Sequence, residues 1–77
     1  MEKNQFLQFF ADQFDETDPS DISFNSKFKE LDEWSSMIAL MVIAMVDENY
    51  NTKITGSDLR ESETIEQLFE RVLAKQS

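Results

Sequence analysis

Two neighbouring hydroxyls, Ser35 and Ser36, stand immediately before an apolar run of ten residues, Met37–Val46. A serine at such a boundary caps a helix, because its oxygen accepts one of the backbone N–H groups that the first turn leaves without a partner. The chain holds no His and no Cys. Ser-His-Asp and Cys-His nucleophile systems are therefore out of reach, as are zinc–thiolate sites and disulfides. Asp15, Asp18 and Asp21 invite a calcium-loop reading. It fails on spacing: the sixth position, which needs Gly, is Ser20, and the twelfth, which needs Glu, is Ser26. Nothing here supplies resident catalytic chemistry, and the chain is expected not to be an enzyme.

The elements that position these residues come from one small domain, 1–77. Sixteen acidic against seven basic residues in a chain of 77 give a net charge of −9. Such a surface repels nucleic acid and anionic membranes alike. Apolar residues make up 40%, with seven Phe, enough for one small core, and a single Gly and a single Pro argue against a turn-rich β fold. Glu2, Lys3, Asn4 and Gln5 do not open a signal peptide. The longest apolar run is half of the roughly 20 residues that a membrane span needs. A soluble, cytoplasmic monomer without a membrane span is the expectation.

Phe6, Phe10 and Phe14 recur at helical spacing, with Leu7, Phe9 and Ala11 beside them, and predict a helix over 3–14. The polar cluster around Pro19 ends it. Residues 15–34 then make a long connection with isolated apolar anchors: Ile22, Phe24, Phe28, Leu31 and Trp34. Connections this long in a small domain are uncommon and often functional. A second helix is expected from Ser35 or Ser36 to about Asn49, a short turn over Thr55–Arg60 with Thr55 as cap, and a last helix over 64–75. The last opens on a Thr64-x-x-Gln67 capping box and carries Ile65, Leu68, Phe69, Val72 and Leu73 on one face. The fold class is all-α: a small bundle of three main helices and one short one.

The second helix is apolar all round, more than so small a bundle can surround. One stripe, Met37, Leu40, Ile43 or Ala44 and then Tyr50, is expected to face the core. The other, Ile38, Met41 and Met45, is expected to stay partly exposed, where adaptable Met side chains suit a partner. The alternative is that the connection folds Phe24 and Phe28 over that stripe and hides it.

The segment Phe28-Lys29-Glu30-Leu31-Asp32-Glu33-Trp34-Ser35-Ser36-Met37 resembles the acyl carrier protein family, whose pattern in many members is F-x-x-L-x-x-W-D-S-L. Phe28, Leu31, Trp34 and Ser36 fall on it at the right spacings. Asp47-Glu48-Asn49-Tyr50, Ile54-Thr55, Asp58-Leu59 and Thr64-Ile65 resemble the family's later landmarks, so the likeness in layout covers about residues 3–75. It implies an acyl-carrier-like fold and a 4′-phosphopantetheine arm on Ser36, taken from coenzyme A by a separate Mg²⁺-dependent phosphopantetheinyl transferase. It also implies acyl-loading and acyl-transferring partner enzymes, with fatty acyl or polyketide-like cargo carried as a thioester. Partner contacts fall by the same logic on Glu33, Ser35, Met37, Ile38, Met41, Met45, Asp47 and Glu48, with Glu30 and Asp32 nearby. Two departures stand out. Ser35 replaces the family's Asp, and Met37 replaces Leu, a volume-conserving change. The rival reading is a carrier-like interaction module that is not phosphopantetheinylated and binds a partner through the Ile38/Met41/Met45 stripe.

Overall fold

Four α-helices follow one another along the chain in the computed structural model, which describes residues 2–76. They are α1 (Lys3–Ala11), α2 (Ser36–Tyr50), α3 (Gly56–Glu61) and α4 (Ile65–Gln76). Two single 3₁₀ turns, Pro19–Asp21 and Phe28–Glu30, lie in the connection between α1 and α2. No strand occurs among the described residues, and no described helix is long and apolar enough to cross a membrane. The all-α fold is as expected from the periodicity.

α1 stops three residues short of the expected end. Gln13 N–H reaches the Phe10 carbonyl and Phe14 N–H the Ala11 carbonyl, an i→i+3 pattern that tightens the exit. Phe14 stays buried despite leaving the helix. It continues a chain of rings: Phe10 lies 5.7 Å from Phe14 and 5.5 Å from Phe28, and Phe28 lies 5.1 Å from Trp34. Full burial of a large side chain is worth roughly 1.5–3 kcal/mol. Phe28 and Ile22, both buried, therefore pin the connection to the core.

The connection also completes α4. Ile65 N–H donates to the Ser26 carbonyl at 3.3 Å and Glu66 N–H to the Phe24 carbonyl at 3.1 Å. Two donors that a helix start leaves unpaired are thereby met by main chain of the connection. Thr64 Oγ1 accepts from Gln67 N–H at 3.2 Å, the expected half of the capping box, while the Gln67 side chain reaches past Thr64 to the Glu63 N–H at 2.8 Å. Ile65, Leu68, Phe69 and Val72 are buried as the spacing predicts, whereas Leu73 is exposed.

α2 is turned the opposite way from expectation. Ile38, Val42, Met45 and Val46 are buried, while Met37 and Leu40 are 69% and 66% exposed and Ala44 is exposed too. Phe24 packs on Phe69 of α4 and Phe28 on Phe10 of α1, and both rings belong to the same core as Ile38 and Met45. The reason lies in where each stripe ends. Ile38, Val42 and Val46 lead at i+4 steps to Tyr50, whose ring meets Phe6 at 5.9 Å and Phe9 at 6.1 Å. Met37, Leu40 and Ala44 lead instead to Glu48, which has to stay in water.

α3 is the expected short turn with Thr55 as cap. Asp58 N–H donates to Thr55 Oγ1 at 3.3 Å, and Thr55 N–H donates to Asp58 Oδ2 at 2.8 Å. The Asp58 carboxylate, nearly out of water, also takes Arg71 Nη1 and Lys75 Nζ, each at 2.9 Å, and so ties α3 to α4.

Candidate functional site

Ser36 is the first residue of α2 and is exposed. Its neighbour does the capping: Ser35, extended at φ −152°, accepts the Ile38 N–H at 3.2 Å, and its carbonyl starts the ladder through the Ala39 N–H at 2.9 Å. With Ser35 so occupied, Ser36 is not needed as the cap. Its hydroxyl sits beside the first N–H groups of a fifteen-residue helix, where the dipole favours an anion.

Ser36 opens on a groove of about 280 Å³ between the start of α2 and α3, lined by Ser35, Trp34, Ala39, Gly56, Leu59, Lys29 and Arg60. Trp34 is half-buried, tilted against Phe14 at 6.4 Å and edge-to-face with Phe28 at 5.1 Å. It anchors the connection and also walls the groove. The floor is thus apolar, and the two charged lining residues are both cations. Ser36 is exposed, the adjoining groove is open, and Lys29 and Arg60 bring positive charge to its lining.

The acidic residues expected to dock partners divide. Glu33 is half-buried and turned inward. Its two carboxylate oxygens accept from the N–H groups of Asp15 at 2.7 Å, Glu16 at 3.0 Å and Thr17 at 2.8 Å, and from the Thr17 hydroxyl at 2.7 Å. The Thr17 hydroxyl, with the three backbone donors, holds its carboxyl below the usual range against the cost of desolvation. Glu33 therefore closes the turn after α1 and is not a docking group. Asp47 is half-buried and loosely paired with Lys53 at 3.8 Å, while Glu48, Glu30 and Asp32 are exposed.

Of the apolar contacts expected, Ile38 and Met45 are excluded by burial and Met41 is half-buried. Met37 remains, joined by Leu40 and Ala44, which sequence reasoning had assigned to the core. The signal that separates them was present: a stripe running into Asp47 and Glu48 belongs outside.

The groove cations were missed altogether. Lys27 and Lys29 bracket Phe28 and Arg60 follows Leu59, basic residues beside motif positions in a chain of net charge −9. Of the three Asp of the calcium-loop reading, Asp18 accepts from Ser20, whose N–H and hydroxyl both donate to its Oδ1 at 2.9 Å. No group of acidic residues suited to a metal ion occurs among the described residues.

No family model matches the chain, and neither a curated protein nor a solved structure does.

Proposed function

We propose that this chain is an acyl-carrier-type protein that carries acyl groups as thioesters on a 4′-phosphopantetheine arm at Ser36. The observation that supports this most is the exposed Ser36 hydroxyl at the start of α2, relieved of capping by Ser35 and opening on an apolar groove with cations at its edge. The layout of a long anchored connection, a central helix, a short third helix and a closing fourth supports it as well.

Loading is a phosphoryl transfer. The Ser36 oxygen forms a bond to the phosphorus next to the pantetheine of coenzyme A, and the anhydride bond breaks, releasing adenosine 3′,5′-bisphosphate. The serine proton passes to a base of the transferase, which suits a chain without His. When bound, the arm supplies the thiol that a cysteine-free chain lacks. The chain's own part is to present the hydroxyl, favour the phosphate through the helix start, and offer a docking face. That face is the exposed Met37, Leu40 and Ala44 with Glu48 at its end, next to Ser36 on the same helix.

Incubation with coenzyme A, Mg²⁺ and a broad-specificity phosphopantetheinyl transferase, followed by intact mass, tests the reading. One phosphopantetheine adduct is expected, lost in Ser36→Ala and kept in Ser35→Ala. An unchanged mass, under conditions that modify a control carrier, rejects it in favour of an unmodified interaction module built on the Met37/Leu40 face. If acidic residues steer the transferase, its KM rises from low to moderate salt. A flat response assigns docking to the apolar pair.

A further inference from the structure

The basic residues are not spread evenly over this acidic molecule. Among the seven, Lys3 pairs with Glu66, Lys53 with Asp47, Arg71 with Asp58 and Glu61, and Lys75 with Asp58. Lys27, Lys29 and Arg60 have no carboxylate within 4.0 Å among the described residues. Two of these three, Lys29 and Arg60, line the Ser36 groove, and Lys27 lies with Lys29 on the adjoining one. With acidic residues in more than twofold excess, two cations without ion-pair partners on the Ser36 groove are a local reversal of the protein's field, bordered by Glu30 and Glu63, which share the adjoining groove with Lys27 and Lys29.

The pair is also held in place. Lys29 Nζ donates to the Arg60 carbonyl at 2.6 Å, which joins the connection to the end of α3 and leaves further ammonium hydrogens to donate. The Arg60 guanidinium lies back over the start of α3, where a Cβ at Gly56 would sit only 3.3 Å from its Nη1. Gly56 thus makes room for the guanidinium beside the groove. An ammonium, a guanidinium fork and the N–H groups at the start of α2 form a donor set suited to the oxygens of a phosphate ester.

We infer that Lys29 and Arg60 form a phosphate-ester subsite in the Ser36 groove, which holds the phosphodiester of an arm attached at Ser36. The inference takes its ligand from the carrier reading and goes beyond it in naming the residues that bind. Holding the phosphate at the groove mouth directs the pantetheine along the apolar floor made by Trp34, Ala39 and Leu59, and leaves the α2 docking face clear.

Two measurements test this. In the first, inorganic phosphate is titrated into the unmodified protein and followed by amide and side-chain NMR, with chloride at matched ionic strength as control. Shifts are expected at Lys29, Ser36, Met37 and Arg60, with affinity about tenfold weaker in Lys29→Gln/Arg60→Gln and unchanged in Lys53→Gln. Shifts centred on Lys53 and Lys75, or equal affinity in the double variant, overturn the subsite. In the second, the ³¹P resonance of the phosphopantetheinylated protein is compared with that of the double variant, which is expected to move toward free phosphopantetheine. A resonance indifferent to the substitution overturns the role in holding the arm. If mass shows no adduct on any variant, the carrier reading fails, and the phosphate titration decides the subsite by the same criterion.

Discussion

Two places beside α3 gather positive charge, but in opposite ways. At the α3–α4 corner, Asp58 is buried and both Arg71 and Lys75 bond to it. At the α2–α3 groove, Lys29 and Arg60 line a cavity that no acidic residue lines, and neither forms an ion pair among the described residues. In the first place charge is consumed in joining two helices. In the second it is left to act on something outside the chain. Pairing, more than the number of charges, separates groups that build this fold from groups available to a ligand.

The largest expected effect is at the corner. Burial pushes the Asp58 carboxyl up, but the hydrogen bonds from Lys75 and the Thr55 N–H, with the Lys75 charge, outweigh it and bring it from 3.8 to about 2. At about 1.4 kcal/mol per pKa unit this corresponds to about 2 kcal/mol at neutral pH. Asp58→Ala should lower Tm by roughly 10 °C in a domain of this size. A melt within 2 °C of the parent would erase the contrast between corner and groove.

Acid should dissolve the same difference. Because the folded-state pKa lies below the unfolded one, the contribution is complete above about pH 4 and is lost as pH falls toward 2. Urea unfolding of the parent and Asp58→Asn should converge over that window. A gap undiminished at pH 2 would mean that Asp58 acts through packing alone.

The groove should behave in the other sense. Lys29→Gln/Arg60→Gln is expected to leave unfolding free energy within about 0.5 kcal/mol of the parent, as exposed groups without an ion-pair partner do and with only the exposed Lys29 hydrogen bond to the Arg60 carbonyl given up, although the same variant binds phosphate more weakly. A substantial loss of stability would place the pair in the scaffold. Gly56→Ala has the smallest expected effect. It stabilises by roughly 0.5 kcal/mol through the unfolded chain and moves the Arg60 guanidinium by a few tenths of an ångström, so phosphate binding weakens while Tm holds or rises.

Much of this was legible beforehand. Ser35 and Ser36 at an apolar boundary, Thr55 before Asp58, and Thr64-x-x-Gln67 are local signals whose bonds form within four residues, and the structure forms them as read, save that Gln67 reaches Glu63 instead of Thr64. The facing of α2 was not legible from its own apolar run, because every side of it is greasy. It depends on Tyr50 finding Phe6 and Phe9, a contact with another helix. Glu33 misled for a similar reason. An acidic residue near a site looks like solvent-facing charge until the turn at Asp15–Thr17 folds back and aims its amides at it. Lys29 and Arg60 lie far apart in the chain, and only the docking of the connection on α3 brings them to one groove.

The last helix begins on carbonyls belonging to Phe24 and Ser26. That arrangement works as a clasp: the closing segment fastens onto a stretch laid down some forty residues earlier, so neither can settle without the other. A fragment ending before Ile65 would leave those carbonyls without their donors and the Phe24 ring without Phe69. The protein should consequently unfold in a single cooperative step, with amide protection at Ile65 and Glu66 vanishing together with that of the core.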